Sequence, residues 1–124
     1  MIYLDATDKK LEMELTALSS VNPVAVICFH DVIRQTKMDF SEPLGATSVA
    51  SLSGTADITI IAAPTVNGTV RYVDSIHLYN NNQAAITVAV KLDFSAGEAT
   101  LVSQSLDAAN TLIYLRDSGW SVLA

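Results

Sequence analysis

The sequence predicts an all-β fold: an antiparallel β-sandwich, jelly-roll-like, of roughly eight to ten short strands. Three observations carry that expectation. Apolar residues alternate with small or polar ones through most of Val70–Phe94. A half-buried strand imposes that period because successive side chains point to opposite faces. Turn signals recur about every 8–12 residues. No stretch carries a sustained helical period.

Taken in order, Ile2–Leu4 and Lys10–Ala17 are expected to be strands, joined by the turn-rich Asp5-Ala6-Thr7-Asp8-Lys9. Leu11-Glu12-Met13-Glu14-Leu15 favours helix by intrinsic propensity, but its strict alternation fits a strand better. Residues 1–20 are thus an N-terminal hairpin or an arm. Ser19-Ser20-Val21-Asn22-Pro23 breaks the chain. Val24–Ile33 is apolar at both parities until His30 and Asp31, so both of its faces are expected to be covered, by the core on one side and by a second layer or a partner on the other. Met38–Phe40 is a short candidate strand. Ser41–Gly54, with Pro43, two glycines and many small residues, reads as a long loop that touches a neighbour.

Ala56–Ala63 is the next strand, and Asn67-Gly68 marks the turn after it. In the following strand Val70, Tyr72, Ile76 and Leu78 are expected on one face, and Arg71, Val73, Ser75, His77 and Tyr79 on the other. Asn80-Asn81-Asn82-Gln83 reads as a turn, since Asn tolerates positive φ and bonds its own backbone. Ile86, Val88, Val90, Leu92 and Phe94 point inward, with Ala85, Thr87, Ala89, Lys91 and Asp93 outward. Turns at Ser95–Glu98 and Asp107–Asn110 set off strands Ala99–Leu106 and Thr111–Arg116. Asp117-Ser118-Gly119 then leads into a last strand, Trp120–Leu123.

With 124 residues the chain reads as a single β-sandwich domain over 1–124. Only 16% of residues are charged, against a usual ~25%. A small domain with so few charges has either a neutral Ser/Thr/Ala/Asn surface or apolar surface covered by another chain; the second makes it a subunit of an assembly. The net charge of −6 and the scattered basic residues argue against nucleic acid as a partner. No apolar run approaches 18 residues, so no membrane partner is expected, and no secretory signal opens the chain, which is expected to be made in a cytoplasm.

Chemistry is sparse. Cys28 is the one cysteine, so no internal disulfide forms. It lies in an apolar run and reads as a small buried hydrophobe. Cys28 and His30 stand at i and i+2, on one strand face, and could begin a zinc site, but a structural zinc takes four ligands and His77 is the only other histidine. A Cys28–histidine nucleophile pair is disfavoured, because burial in an apolar run raises a thiol's pKa. Neither a Gly-x-Ser-x-Gly elbow nor a glycine-rich phosphate loop is present. No catalytic residue, cofactor-binding residue or metal ligand is assigned, and an enzyme is not expected. Trp120 reads as core packing beside a turn. Tyr72 and Tyr79 fall on opposite faces in the expected alternation, so the tyrosines imply no single sugar-binding platform.

Several strings resemble one family. Val73-Asp74-Ser75-Ile76-His77-Leu78-Tyr79-Asn80-Asn81, then Ile86-Thr87-Val88-Ala89-Val90, Thr111-Leu112-Ile113-Tyr114 and Gly119-Trp120-Ser121-Val122-Leu123 are similar to small structural proteins of tailed-bacteriophage virions. The opening Ile2-Tyr3-Leu4-Asp5-Ala6 is similar to the same group. These are turn and core motifs, matched over most of the chain at low stringency. Where the pattern has glycine in the turn before the Leu-x-Tyr strand, this chain has Ala109, which leaves that turn's geometry open. The resemblance implies a capsid decoration or cement protein on the outer capsid surface of the virion. It would be a homo-oligomer, a trimer by that resemblance, bound to the major capsid protein. A carbohydrate- or receptor-binding module of a fibre or tail, and a neck or tail adaptor, are the alternatives.

Overall fold

A computed structural model describes residues 1–33 and 44–124. Among these residues there are ten strands and no helix. They are β1 (Tyr3–Leu4), β2 (Lys10–Leu15), β3 (Val24–Ile33), β4 (Leu44–Ser51), β5 (Ile58–Ile61), β6 (Thr69–Tyr79), β7 (Ile86–Phe94), β8 (Gly97–Leu106), β9 (Thr111–Leu115) and β10 (Gly119–Leu123). A six-stranded sheet runs β10-β9-β6-β3-β4, with β1 also on β6; a four-stranded sheet runs β5-β2-β7-β8. All the pairings are antiparallel. The two sheets pack face to face as a β-sandwich, the class the alternation predicts.

The core between them is aliphatic. Leu11, Met13 and Leu15 of β2, with Val88 and Val90 of β7, face Ile27 of β3, Val73, Ile76 and Leu78 of β6, and Leu112 and Tyr114 of β9. Each is almost fully buried, and burying a side chain of this size contributes about 1.5–3 kcal/mol. Trp120 packs at the margin, its ring 5.0 Å from that of Tyr114, as the sequence suggests.

Four expectations are corrected. The N-terminal strands do not form a hairpin. β1 pairs with β6, Tyr3 opposite Tyr72 and Leu4 opposite Arg71, while β2 lies between β5 and β7 in the other sheet. The reason lies in β6, which outruns its neighbour: β9 pairs with Ser75–Tyr79 only. β1 fills the same side further along, burying Leu4 completely and tying down its start through the Ile2 amide, which donates to the Tyr114 hydroxyl at 2.8 Å.

The second correction concerns β3. Ala25 and Ile27 are fully buried, whereas Val24 and Val26 are exposed. One face of this strand meets the core, and among the described residues no second layer covers the other, which leaves a partner as its expected cover. The third concerns the expected long loop. Leu44–Ser51 is a full edge strand paired with β3 from Asp31 to Val24. Its small residues hide the alternation, yet Ser48 turns inward and its hydroxyl donates to the Ile60 carbonyl at 2.7 Å, joining the sheets at that corner. Residues 41–43 and the expected strand Met38–Phe40 lie outside the described residues.

The fourth correction is a β-bulge. Cys28 sits opposite Ser75 and Phe29 opposite Val73, so Asp74 has no partner on β3. One extra residue inverts the side-chain parity of everything before it. Val73 therefore joins Ile76 and Leu78 in the core, and Tyr72 joins Ser75, His77 and Tyr79 on the outer face. The uninterrupted alternation read from Val70 to Tyr79 breaks at that residue.

Candidate interaction face

The register of the six-stranded sheet defines what its outer face presents. Across the strands, Val49, Val26, His77, Ile113 and Ser121 form one row. Beside it, Thr47, Cys28, Ser75, Leu115 and Gly119 form a second. At one end, Ser51 stands opposite Val24, and Tyr79, Thr111 and Leu123 follow one another. No Asp, Glu, Lys or Arg occurs in these rows. Val49 is 66% exposed and Leu123 60%, and Val24, Val26, Tyr79 and Leu115 are exposed as well. Single exposed aliphatics are ordinary, but a contiguous set on one sheet face is the kind of surface that partners cover.

The outer face of the four-stranded sheet is the opposite in character. Lys91 on β7 places Nζ 3.1 Å from Glu14, 3.1 Å from Asp57 and 3.2 Å from Glu98. Lys10 on β2 lies 3.4 Å from Glu12 and 3.3 Å from Asp93. Bonding to Glu14, and then to Asp57 and Glu98, pushes the Lys91 ammonium well above the ordinary lysine range. Lys10 is raised too, chiefly by its bond to Asp93. Glu12 is raised above the usual carboxylate range because burial penalises its charge more than Lys10 relieves it. Oxygens of Glu12, Asp57 and Glu98 lie within 4.8 Å of one another, a spacing that a metal ion could use. The Lys91 ammonium already stands against two of these carboxylates.

The bulge gathers a polar cluster at the far end of the six-stranded sheet's outer face. His30 Nδ1 lies 2.7 Å from Asp74 Oδ2, and an Arg116 guanidinium nitrogen lies 3.3 Å from Asp74 Oδ1. The Arg116 amide donates to the Asp74 carbonyl at 3.0 Å, so the unmatched residue is held on both backbone and side chain. The His30 ring stacks on Tyr72 at 5.3 Å, and Tyr3 follows at 6.2 Å from Tyr72. These three rings form a cross-strand row and pack against one another. Tyr72 and Tyr79 thus share a face, contrary to the expected alternation, but at opposite ends of it.

Cys28 and His30 do share a strand face, as their spacing predicts. That face is the outer one, so Cys28 is half-buried and not a core residue. Its Sγ lies 3.8 Å from Thr47 Oγ1. Parity explains the correction: Ala25 and Ile27 take the inward positions, which leaves residue 28 outside. Among the described residues, the group spaced to hold a metal contains neither cysteine nor histidine. The His30–Asp74 pair is the orienting half of a nucleophile–base arrangement, and among the described residues no hydroxyl or thiol is bonded to His30.

Two constellations escaped sequence reading. Asn80 is fully buried. Its Nδ2 donates to the carbonyls of Ala84, Leu106 and Asp107 at 3.0, 3.0 and 3.1 Å, while its Oδ1 accepts from the Asn82 amide at 3.0 Å. Asn82 in turn accepts from Ser20 Oγ and the Val21 amide and donates to the Val21 carbonyl. Two asparagines therefore tie together three connections, β2–β3, β6–β7 and β8–β9. The other constellation is Arg71, which forks onto Asp31 at 2.7 and 2.9 Å, donates to the Ala62 carbonyl at 2.7 Å, and lies 4.6 Å from the centre of the Phe29 ring. A sequence signal existed only for the turn, in the run of asparagines; the partners are distant in sequence.

Comparison with protein-family models, with curated proteins and with solved structures found no match to the chain.

Proposed function

We propose that the chain is a non-enzymatic structural protein of a tailed-bacteriophage virion, a decoration or cement protein that binds the major capsid protein on the outer capsid surface as a homotrimer. The observation that carries this reading is the division of the sandwich into two unlike faces. One is exposed and, away from the Asp74–Arg116 cluster at its far end, free of formal charge; the other is a lattice of carboxylates around two ammonium groups. A protein that works by being held between other chains needs the first, and one that faces solvent on a particle needs the second. The turn and core strings that resemble virion proteins point the same way. An acidic skin suits the outside of a shell and not the side facing DNA. Repetition over many equivalent sites raises the effective concentration of each contact, so modest individual affinities suffice to brace a shell.

The test is fractionation. Antibody raised against the purified chain would be applied to phage particles from the culture that produces it, banded on a density gradient and then stripped of tails. The expected result is a signal that stays with the capsids. A signal that leaves with the tails would transfer the role to a fibre, neck or tail component. A signal only in the particle-free fraction would contradict a virion role.

A further inference from the structure

We infer that the outer face of the six-stranded sheet is where copies of this chain meet, turned toward the axis of the oligomer, with the charged face of the four-stranded sheet outside. The inference rests on the proposed reading only in taking the chain to act as a homo-oligomer.

The choice of face follows from charge. Each copy carries a net charge of −6. On the four-stranded sheet's outer face Glu12, Glu14, Asp57, Asp93 and Glu98 outnumber Lys10 and Lys91. Two copies that met through that face would oppose like charges, which is costly where water is excluded. The uncharged rows of the other sheet are the broad surface on which one acidic copy accepts another without that cost. Contact through that face also turns the acidic faces of the copies away from one another. Two other occupants lack a complement. A basic partner finds no carboxylate in the rows, and an anionic membrane would meet a chain of net negative charge with no ammonium or guanidinium in them.

The layout of the face suits a ring of copies. Val24, Val26 and Val49 lie on the β3–β4 side, Leu115 and Leu123 on the β9–β10 side, and Tyr79 between them. Around a threefold axis the first side of each copy meets the second side of the next, so unlike halves of one face pair. The edge strands β4 and β10 contain no charge and no proline, two of the devices by which isolated proteins blunt an edge. Cys28 lies within the second row and reports on the face without any label being engineered.

The experiment compares the unmodified chain with Val49→Lys and with Thr100→Lys, which adds the same charge on the opposite face, opposite Lys91. Native mass would be measured by light scattering, folding by far-ultraviolet circular dichroism, and Cys28 accessibility by its rate of alkylation with N-ethylmaleimide. Val49 is largely exposed, so the lysine does not threaten the fold. The expected result is an oligomer with slow alkylation for the unmodified chain and for Thr100→Lys, and a folded monomer with fast alkylation for Val49→Lys. An oligomer that survives Val49→Lys with Cys28 still open to reagent would place the contact elsewhere and overturn the inference, leaving the virion role intact. A monomer at every concentration of the unmodified chain would overturn it as well, and the particle fractionation then judges the role separately.

Discussion

Ala109 holds a φ of 64°, the left-handed region that costs an L-residue roughly 1–2 kcal/mol. The turn needs that conformation because the Ala109 amide donates to the Asn80 carbonyl at 3.0 Å and the Asn80 amide to the Asn110 carbonyl at 2.9 Å. So alanine here holds a conformation that glycine adopts without that cost. Ala109→Gly is expected to stabilise the fold by about 1 kcal/mol, the relief of strain exceeding the added freedom of the unfolded chain; urea denaturation would measure it, and an unchanged midpoint would contradict the reading. Glu12 makes a second prediction, in pH. Its carboxyl is raised by burial, so the folded state binds its proton more tightly than the unfolded one does. That contribution is fully present below the unfolded value, about pH 4, and is lost as pH rises through the folded value. At neutral pH the ionised group works against the fold. Glu12→Gln is expected to raise the melting temperature at pH 7, with the gain shrinking as pH falls toward about 4. A gain that grew on acidification would contradict it. The alternation around Glu12 gave its outward direction, but not the carboxylates crowded beside it, because Asp57 and Glu98 arrive from other strands.

At the scale of elements, the strands were legible where aliphatics alternate and a turn residue stands at each end. β3 matches its expected bounds, Val24–Ile33, and β7, β9 and β10 lie close to theirs. What escaped reading has a common cause. The Asp74 bulge is set by pairing with β3, β4 is built of small residues whose burial depends on β3, and β1 goes to whichever edge β9 leaves open. None of these is a local property. The Asn80–Asn82 knot is the same kind of feature, with a predictable cost. Asn80→Ala would leave the carbonyls of Ala84, Leu106 and Asp107, the Leu106 one buried, without that donor and is expected to destabilise by about 3 kcal/mol. Asn81→Ala, at the exposed middle of the triplet, should stay within about 0.5 kcal/mol. Chemical denaturation of the pair would check the contrast, and equal effects would show that turn propensity alone explains the triplet.

At the scale of the whole molecule, the low charge content of the sequence reflects a segregation and not a uniformly neutral surface. Charge gathers on the outer face of the four-stranded sheet and at the bulge, and leaves the rest of the six-stranded sheet's outer face bare. Composition alone raised the question of a covered surface but could not place it, because Val24, Val26 and Val49 look like core residues until register turns them outward. On the inference drawn above, other copies of the chain cover this face. The most direct measurement is the native mass of the unmodified protein by light scattering behind size exclusion, repeated across dilutions. The expected result is a single species with the mass of three 13.2 kDa chains that persists on dilution. A mass of 13.2 kDa at every concentration would contradict it.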